Sequence, residues 1–370
     1  VSFLIVAVNA ALSYAIISRS VRAVLVSSIV ILCVAGVIIA SNFSAATHAI
    51  TSQPDAVAIA VQPNVPMEPV EDLAETEALV NRHKSLSTDA LLSWEREGRL
   101  DNPGVSNIDG NQSQGDAPAL RQTIPRLVIW PESPMNFTYA NDAAMREWVA
   151  RFAVENHTAV IFNSLEPAPG GGAYNSAVLV NEEGRKVSQY DKIRLLPFGE
   201  YVPLPRWLPG ASIVPVMVGD FTPGADYPLM QVSRTRVGVF ICFESAFPSI
   251  SREFAARGAD VLINISNDGY LGPTPVMRQH LANTVFRAVE NRRPVVRVTN
   301  TGISAYITPR GEVIGATEGF KPDVRVWAIN RTQDGKTFYT RYGDLFAGIC
   351  AMLSLLVFAT TLRKSRKSGV

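Results

Sequence analysis

A thiol and a carboxylate are components of nucleophilic acyl chemistry, and one short apolar run of this chain delivers one of each to its end, Cys242 and Glu244. Cys242 lies in Val237-Gly-Val-Phe-Ile-Cys-Phe-Glu244, an apolar run closed by the turn Ser245-Ala-Phe-Pro248. Its length and its Val, Ile and Phe content predict a strand inside a covered sheet. Ligand and catalytic groups of open α/β sheets collect at the carboxyl ends of such strands. Alone, Cys242 is equally the ordinary buried thiol, which is where free cysteines usually sit. Glu132, handed over by Arg126-Leu-Val-Ile-Trp-Pro131, and Lys192, following Tyr190-Asp, change that balance only through the motifs given below.

The elements that must carry these residues alternate in type. Apolar runs predict strands over residues 56–62, 126–131, 159–165, 175–181, 237–243, 261–266, 295–299 and 303–308. Helical patterns fall at 68–96, 142–155, 248–257 (closed by Gly258) and 276–291, the last with Leu281, Val285, Ala288 and Val289 on one apolar face. Such alternation implies a layered α/β domain. Residues 98–125 are rich in Gly, Asn, Asp, Gln, Ser and Pro, which predicts a mobile surface insertion without chemistry. Gly170-Gly-Gly172 lacks a strand-turn-helix setting and reads as a hairpin turn. No dinucleotide fingerprint, phosphate loop or metal-ligand spacing is present, so neither a cofactor nor a metal is expected.

With 370 residues, 47% of them hydrophobic, the chain has room for two ordinary domains or for one large domain plus membrane segments. Residues 1–43 decide for the second: they hold no acidic residue, and their basic residues are Arg19 and Arg22. Runs 1–18 and 23–40 are each long enough, at about 1.5 Å per residue, to cross or nearly cross a hydrocarbon core of about 30 Å. Asn9 and its small neighbours predict a face packed on other helices. A third run, 345–362, ends at Arg363-Lys-Ser-Arg-Lys367. Two tandem apolar runs without a basic leader or cleavage site between them argue against a signal peptide. The positive-inside rule places Arg19, Arg22 and the basic tail in the cytoplasm and residues 44–342 outside. A net charge of +1 gives no sign of nucleic-acid binding. Cys33 and Cys350 fall in the membrane runs, leaving Cys242 no disulfide partner in its own domain.

Trp130-Pro-Glu-Ser133, Tyr190-Asp-Lys-Ile-Arg-Leu-Leu-Pro-Phe-Gly-Glu-Tyr201 and Ile241-Cys-Phe-Glu244, in that order, resemble the nitrilase superfamily. The middle motif is similar to that of its membrane branch, the apolipoprotein N-acyltransferase family. Asn267-Asp268, Arg278-Gln-His-Leu281, Arg287-Ala-Val-Glu290 and Arg297-Val-Thr-Asn-Thr-Gly302 extend the resemblance over residues 56–330 and the closing apolar run. It implies an α-β-β-α sandwich flanked by transmembrane helices. It also implies a triad in which Cys242 is the nucleophile, Glu132 the general base and Lys192 the cation beside the oxyanion, with the Phe243 N–H as second donor. A carboxylate that takes the thiol proton favours attack and can later return that proton to the leaving alcohol. Glu200 and Glu244 match positions that support the triad; either is otherwise a structural carboxylate bonding nearby loop N–H groups. Phe243 stands where the family has tyrosine, and Gly269-Tyr270 where a tryptophan-containing pair is usual, so the wall of the acyl pocket is expected to differ.

A thioester of this kind is resolved by water in an amidase and by an amine in an acyltransferase, and the triad fits both. The resemblance implies the second, at the outer face of a bacterial inner membrane. There a phospholipid gives its sn-1 acyl chain to Cys242, and the N-terminal diacylglyceryl-cysteine of an apolipoprotein takes it as an amide. The run Val202-Pro-Leu-Pro-Arg-Trp-Leu-Pro209, with Trp207 and Leu208, is either a membrane-facing arm or core packing. A membrane-anchored amidase and a silent envelope scaffold are the remaining alternatives. The family carries more membrane helices ahead of its catalytic domain than the two readable here, and Val1 is not methionine, so a fragment or a shortened member is expected.

Overall fold

The computed structural model describes residues 2–43, 54–67, 73–102, 123–132, 137–203, 221–331 and 335–368. Trp207, Leu208 and residues 103–122 of the expected insertion lie outside these. The chain divides into two units, Val1–Ile50 and Thr51–Val370.

In the first unit, α1 (Ser2–Ser18) and α2 (Val21–Phe43) form a helical hairpin turned at Arg19. Its packed seam is made of small residues, Ala11, Ala23 and Ser27, and the Ser27 hydroxyl donates to the Ala11 carbonyl at 2.6 Å. Small side chains let the helix backbones approach closely. Asn9, expected on the packed face, is exposed. Ile16, Ile17, Val21, Leu25 and Leu32 are exposed as well. Among the described residues, no helix is long and apolar enough to cross a membrane.

The second unit contains two six-stranded sheets. The first runs β12 (Asp323–Ile329), β1 (Ala56–Gln62), β2 (Arg126–Ile129), β3 (Ala159–Pro167), β4 (Ala173–Val180), β5 (Lys186–Asp191). The second runs β11 (Val313–Ile314), β10 (Ala305–Ile307), β9 (Val295–Thr299), β8 (Val261–Ser266), β7 (Thr235–Ile241), β6 (Met230–Val232). The central strands β1, β2, β3 and β7, β8, β9 are parallel, and antiparallel strands close the edges. Side-chain alternation sorts the layers. On β1, Ala56, Ala58 and Ala60 join a core shared with β7, β8 and β9, while Val57, Ile59 and Val61 face a second core under α3 (Leu73–Glu97) and α4 (Ala143–Glu155). Alanine on the inter-sheet face lets the sheets lie close. On the far side, α5 (Pro248–Arg257) and α6 (Pro275–Asn291) cover the second sheet. The result is the expected α-β-β-α order. Helices α7 (Phe338–Tyr342) and α8 (Leu345–Ser368) follow.

Several expectations need correction. Strands β5, β6, β11 and β12 were not readable in advance; all four are edge or hairpin strands with short or polar-interrupted patterns. The strand expected over 237–243 stops at Ile241, and Cys242–Ala246 form a 3₁₀ turn. The segment expected to be a mobile insertion is anchored at its described ends: Leu100 and Ile124 enter the outer core, and Asp101 and Asn102 bond the backbone of β12. These side chains satisfy a sheet edge that would otherwise present open N–H and C=O groups. Helix α6 buries the apolar face expected of it only in part: Ala288 is in the core. Val289 is exposed, Leu281 and Val285 are half-buried, and the buried side carries His280, Thr284, Arg287 and Asn291 beside Met277 and Ala288. Those polar residues are buried with partners: His280 meets the Cys242 carbonyl, Arg287 donates to the Ser245 carbonyl, Thr284 accepts from Arg297, and Asn291 bonds Ser251 and Thr340.

Candidate active site

The fold places the three sequence candidates just after the carboxyl ends of strands, two of them central and one at a sheet edge. Glu132 follows β2, and Cys242 follows β7 in the facing sheet. Lys192 is delivered by β5, whose hairpin with β4 turns at Gly184. Gly184 has φ +74°, and a Cβ there would come within 3.0 Å of the Ala150 carbonyl, so the turn admits little else.

Lys192 is buried, with Nζ 2.8 Å from Glu200 Oε1 and 3.6 Å from Glu132 Oε1. Asn175, on β4, ties the two carboxylates together: its Nδ2 donates to Glu132 Oε1 at 2.8 Å and to Glu200 Oε1 at 2.7 Å. The Asn267 N–H donates to Glu132 Oε2 at 3.1 Å, and the Leu196 N–H donates to Glu200 Oε2 at 2.7 Å. Burial opposes the ammonium, yet Glu132, Cys242 and Glu200 together raise the Lys192 pKa above its ordinary value. Lys192 is therefore a fixed cation between fixed acceptors.

Glu244 is fully buried and stitches the two sheets. It accepts from the Tyr190 hydroxyl (2.8 and 2.9 Å) and from the N–H groups of Ile193 (2.8 Å), Arg194 (3.0 Å) and Ile241 (2.8 Å). It thereby fixes the Tyr190 side chain and the backbone just after Lys192 and just before Cys242, as a structural carboxylate bonding nearby N–H groups does. Burial pushes its carboxyl up, partly offset by these donors.

Cys242 is half-buried and adopts φ +51°, the left-handed region that costs a non-glycine residue about 1–3 kcal/mol. Burial pushes its thiol up, Glu132 pushes it further, and Lys192 opposes both. The two raising effects favour the protonated thiol over the thiolate. Phe243 is next in the turn, its ring edge-on to Phe247. Tyr270 is half-exposed, and burial followed by the charges of Glu132 and Cys242 raises its phenol, so it borders the site where the altered wall was expected.

A second buried cluster lies behind Cys242. Asp268 accepts from Arg297 Nη2 (2.8 Å to Oδ2) and contacts His280 Nδ1 (2.8 Å to Oδ1), while His280 Nε2 is 3.1 Å from the Cys242 carbonyl oxygen. Burial would raise the Asp268 carboxyl, but Arg297 and His280 hold it well below the usual range. Asp268, His280 and Arg297 were visible in the sequence only as members of motifs, without a role; Asn175 carried no signal beyond being polar near the start of an apolar strand. Among the described residues there is no group of metal-holding side chains.

Asp268→Asn is expected to cost about 3–5 kcal/mol at neutral pH, because it leaves the Arg297 guanidinium buried beside a neutral amide. A carboxyl depressed in the folded state stabilises above its unfolded value of about 3.9 and loses that contribution as pH falls through its folded value. The difference from wild type in urea unfolding should therefore shrink below about pH 4. A difference independent of pH would mean that Asp268 acts by shape alone.

The sequence pattern of the carbon-nitrogen hydrolase family matches residues 58–336. An apolipoprotein N-acyltransferase of Geobacter metallireducens is 37% identical over 241 residues, covering 64% of this chain and 46% of that one. One from Thermotoga maritima is 34% identical over 201 residues, covering 53% and 39%. The chain thus spans about half or less of the length of these curated relatives. Among solved structures, an amidase from Nesterenkonia sp. superposes with a TM-score of 0.50 at 19% identity, covering 80% of this chain and 96% of that one, which speaks for the fold. With the motif order, the paired sheets and a family match over most of the second unit, the chain belongs to the carbon-nitrogen hydrolase family and has its nitrilase-type fold.

Proposed function

We propose that this chain carries the catalytic domain of an apolipoprotein N-acyltransferase. Its Cys242 Sγ attacks the sn-1 ester carbonyl of a phospholipid while Glu132 takes the thiol proton. Lys192 and the Phe243 N–H bind the tetrahedral oxyanion. Collapse breaks the ester C–O bond, Glu132 returns the proton to the leaving alkoxide, and a lysophospholipid departs from the thioester. The N-terminal amine of a diacylglyceryl-cysteine then attacks the thioester, giving an amide and the free thiol. The observation that carries this reading is the buried Lys192 ammonium, held by Glu132 and Glu200 and coupled to the Cys242 thiol. The named relatives support the amine, in place of water, as acceptor.

Mass spectrometry of Cys242 after incubation with phospholipid tests it, an added acyl mass being the expected result. Free fatty acid released as fast as acyl-enzyme forms, with or without amine, would make the protein a lipid hydrolase.

The membrane belongs to the same proposal. Exposed apolar side chains crowd α1 and α2, and α8 exposes Leu345, Phe346, Ile349, Met352, Leu353, Leu355 and Leu356, surfaces that are unfavourable in water. No described helix is by itself long and apolar enough to cross a membrane, but together with the placement of Arg19, Arg22 and the basic tail these surfaces favour attachment to a bacterial inner membrane, with residues 44–342 outside and the C-terminus inside. A reporter fused after Val370 should be active only in its cytoplasmic form; activity only when exported would reverse the orientation and remove the lipoprotein acceptor with it.

A further inference from the structure

The backbone around Cys242 is held by buried side chains. Glu244 accepts from the Ile241 N–H at 2.8 Å, and His280, reaching from α6, faces the Cys242 carbonyl at 3.1 Å. A carbonyl oxygen can only accept, so His280 Nε2 carries a hydrogen and donates it. The opposite ring nitrogen, Nδ1, lies 2.8 Å from Asp268 Oδ1 and 3.2 Å from Arg297 Nη2. Asp268 is fixed in turn by Arg297 and by the Ser266 hydroxyl at 3.1 Å. The imidazole therefore cannot rotate away without breaking a buried, charged network.

The Cys242 carbonyl and the Phe243 N–H belong to one peptide plane. No peptide bond among the described residues is cis, and in a trans unit C=O and N–H point in opposite directions. Whatever holds the carbonyl toward α6 turns the N–H away from it. A donor on the carbonyl also polarises the unit and strengthens its N–H as a donor.

We propose that His280 is a positioning residue that aims the Phe243 N–H at the developing oxyanion by gripping the Cys242 carbonyl. This rests on the reading above, in which that N–H and Lys192 are the oxyanion donors. Without the bond, the left-handed Cys242 is free to relax and the plane to swing, which removes one donor. The thiol, Glu132 and Lys192 stay in place.

The test compares two reactions of the full chain at Cys242. Alkylation by iodoacetamide displaces iodide and forms no oxyanion, so it reads the thiol and its neighbours. Acylation, by phospholipid or by a p-nitrophenyl acyl ester, needs the oxyanion donors. His280→Leu is expected to lower the acylation kcat by about 10² to 10³, the usual cost of one oxyanion donor. Its KM and its alkylation rate should stay within about threefold of wild type, since neither depends on transition-state charge.

His280→Gln puts an amide N–H near the position of Nε2 and is expected to recover acylation to within about tenfold of wild type. His280→Asn, whose amide reaches only the position of Nδ1, should remain as slow as His280→Leu. The Gln and Asn pair keeps the test decisive if the leucine variant fails to fold. Unchanged acylation in His280→Leu or His280→Asn, equal loss of acylation and alkylation, or no difference between Gln and Asn would each overturn the proposal. Wild-type protein acylated by the ester but not by phospholipid would sink the donor assignment instead, and the His280 comparison would be read on the ester.

Discussion

Lys192→Ala is expected to lower acyl-enzyme formation by at least about 10², the loss that follows removal of one oxyanion donor. It is expected to cost stability as well. The Lys192 ammonium is buried between Glu200 and Glu132, and taking it away leaves two carboxylates sharing one amide, Asn175. Breaking a buried ion pair from one side typically costs about 3–5 kcal/mol. Against a usual domain stability of about 5–15 kcal/mol, the protein stays folded but with a clearly lower urea midpoint. The thiol should also become harder to ionise, because Lys192 is the group that lowers it. The pH profile of iodoacetamide alkylation should therefore move to higher pH. Lys192→Arg should not rescue: the slot is closed, and a planar guanidinium does not fit a point-charge position 2.8 Å from Glu200. Near-normal acylation by the arginine variant would reduce Lys192 to a general source of positive charge.

Glu132→Gln separates proton transfer from electrostatics because it should move two observables in opposite directions. Glutamine can still accept from the Asn267 N–H, as Glu132 does at 3.1 Å, but it cannot take a proton. Losing a general base costs about 10² to 10⁴ in rate, so the thioester should form that much more slowly from phospholipid. The same change removes a negative charge that raises the Cys242 thiol after burial has done so, and alkylation should therefore shift to lower pH. A thiol easier to ionise but slower to acylate identifies the carboxylate as the proton acceptor. Parallel falls in both rates would instead assign Glu132 to holding the site's shape. In the wild type, a peptide with a diacylated N-terminal cysteine should discharge the thioester, whereas the same peptide with its amine blocked should leave it. Such a two-step course is ping-pong. Cys242→Ser should form no thioester, since a hydroxyl is far less acidic than a thiol and Glu132 is a weak base for it.

How much of this was legible in the chain can be argued residue by residue. The runs at 56–62, 261–266 and 295–299 reappear with the same ends as β1, β8 and β9 because each is buried on both faces and so almost uninterrupted by polar residues. Helix α5 keeps its predicted limits because Pro248 opens it and Gly258, at φ +101°, closes it with backbone chemistry that is local. Glu132 and Cys242 were readable as candidates because each follows such a run. Lys192 was not, except by resemblance: its strand β5, Lys-Val-Ser-Gln-Tyr-Asp, is half-exposed and shows no clean apolar alternation. The surroundings of Cys242 were decided by tertiary structure alone. Asn175 joins Glu132 to Glu200, Glu244 reaches residues about fifty positions earlier, and His280 leaves what looked like an apolar helix to meet the Cys242 carbonyl. Periodicity records which side chains avoid water. It is silent about polar side chains that are buried because a distant residue supplies the hydrogen bond, and at this site those are the side chains that fix Lys192 and the backbone around Cys242.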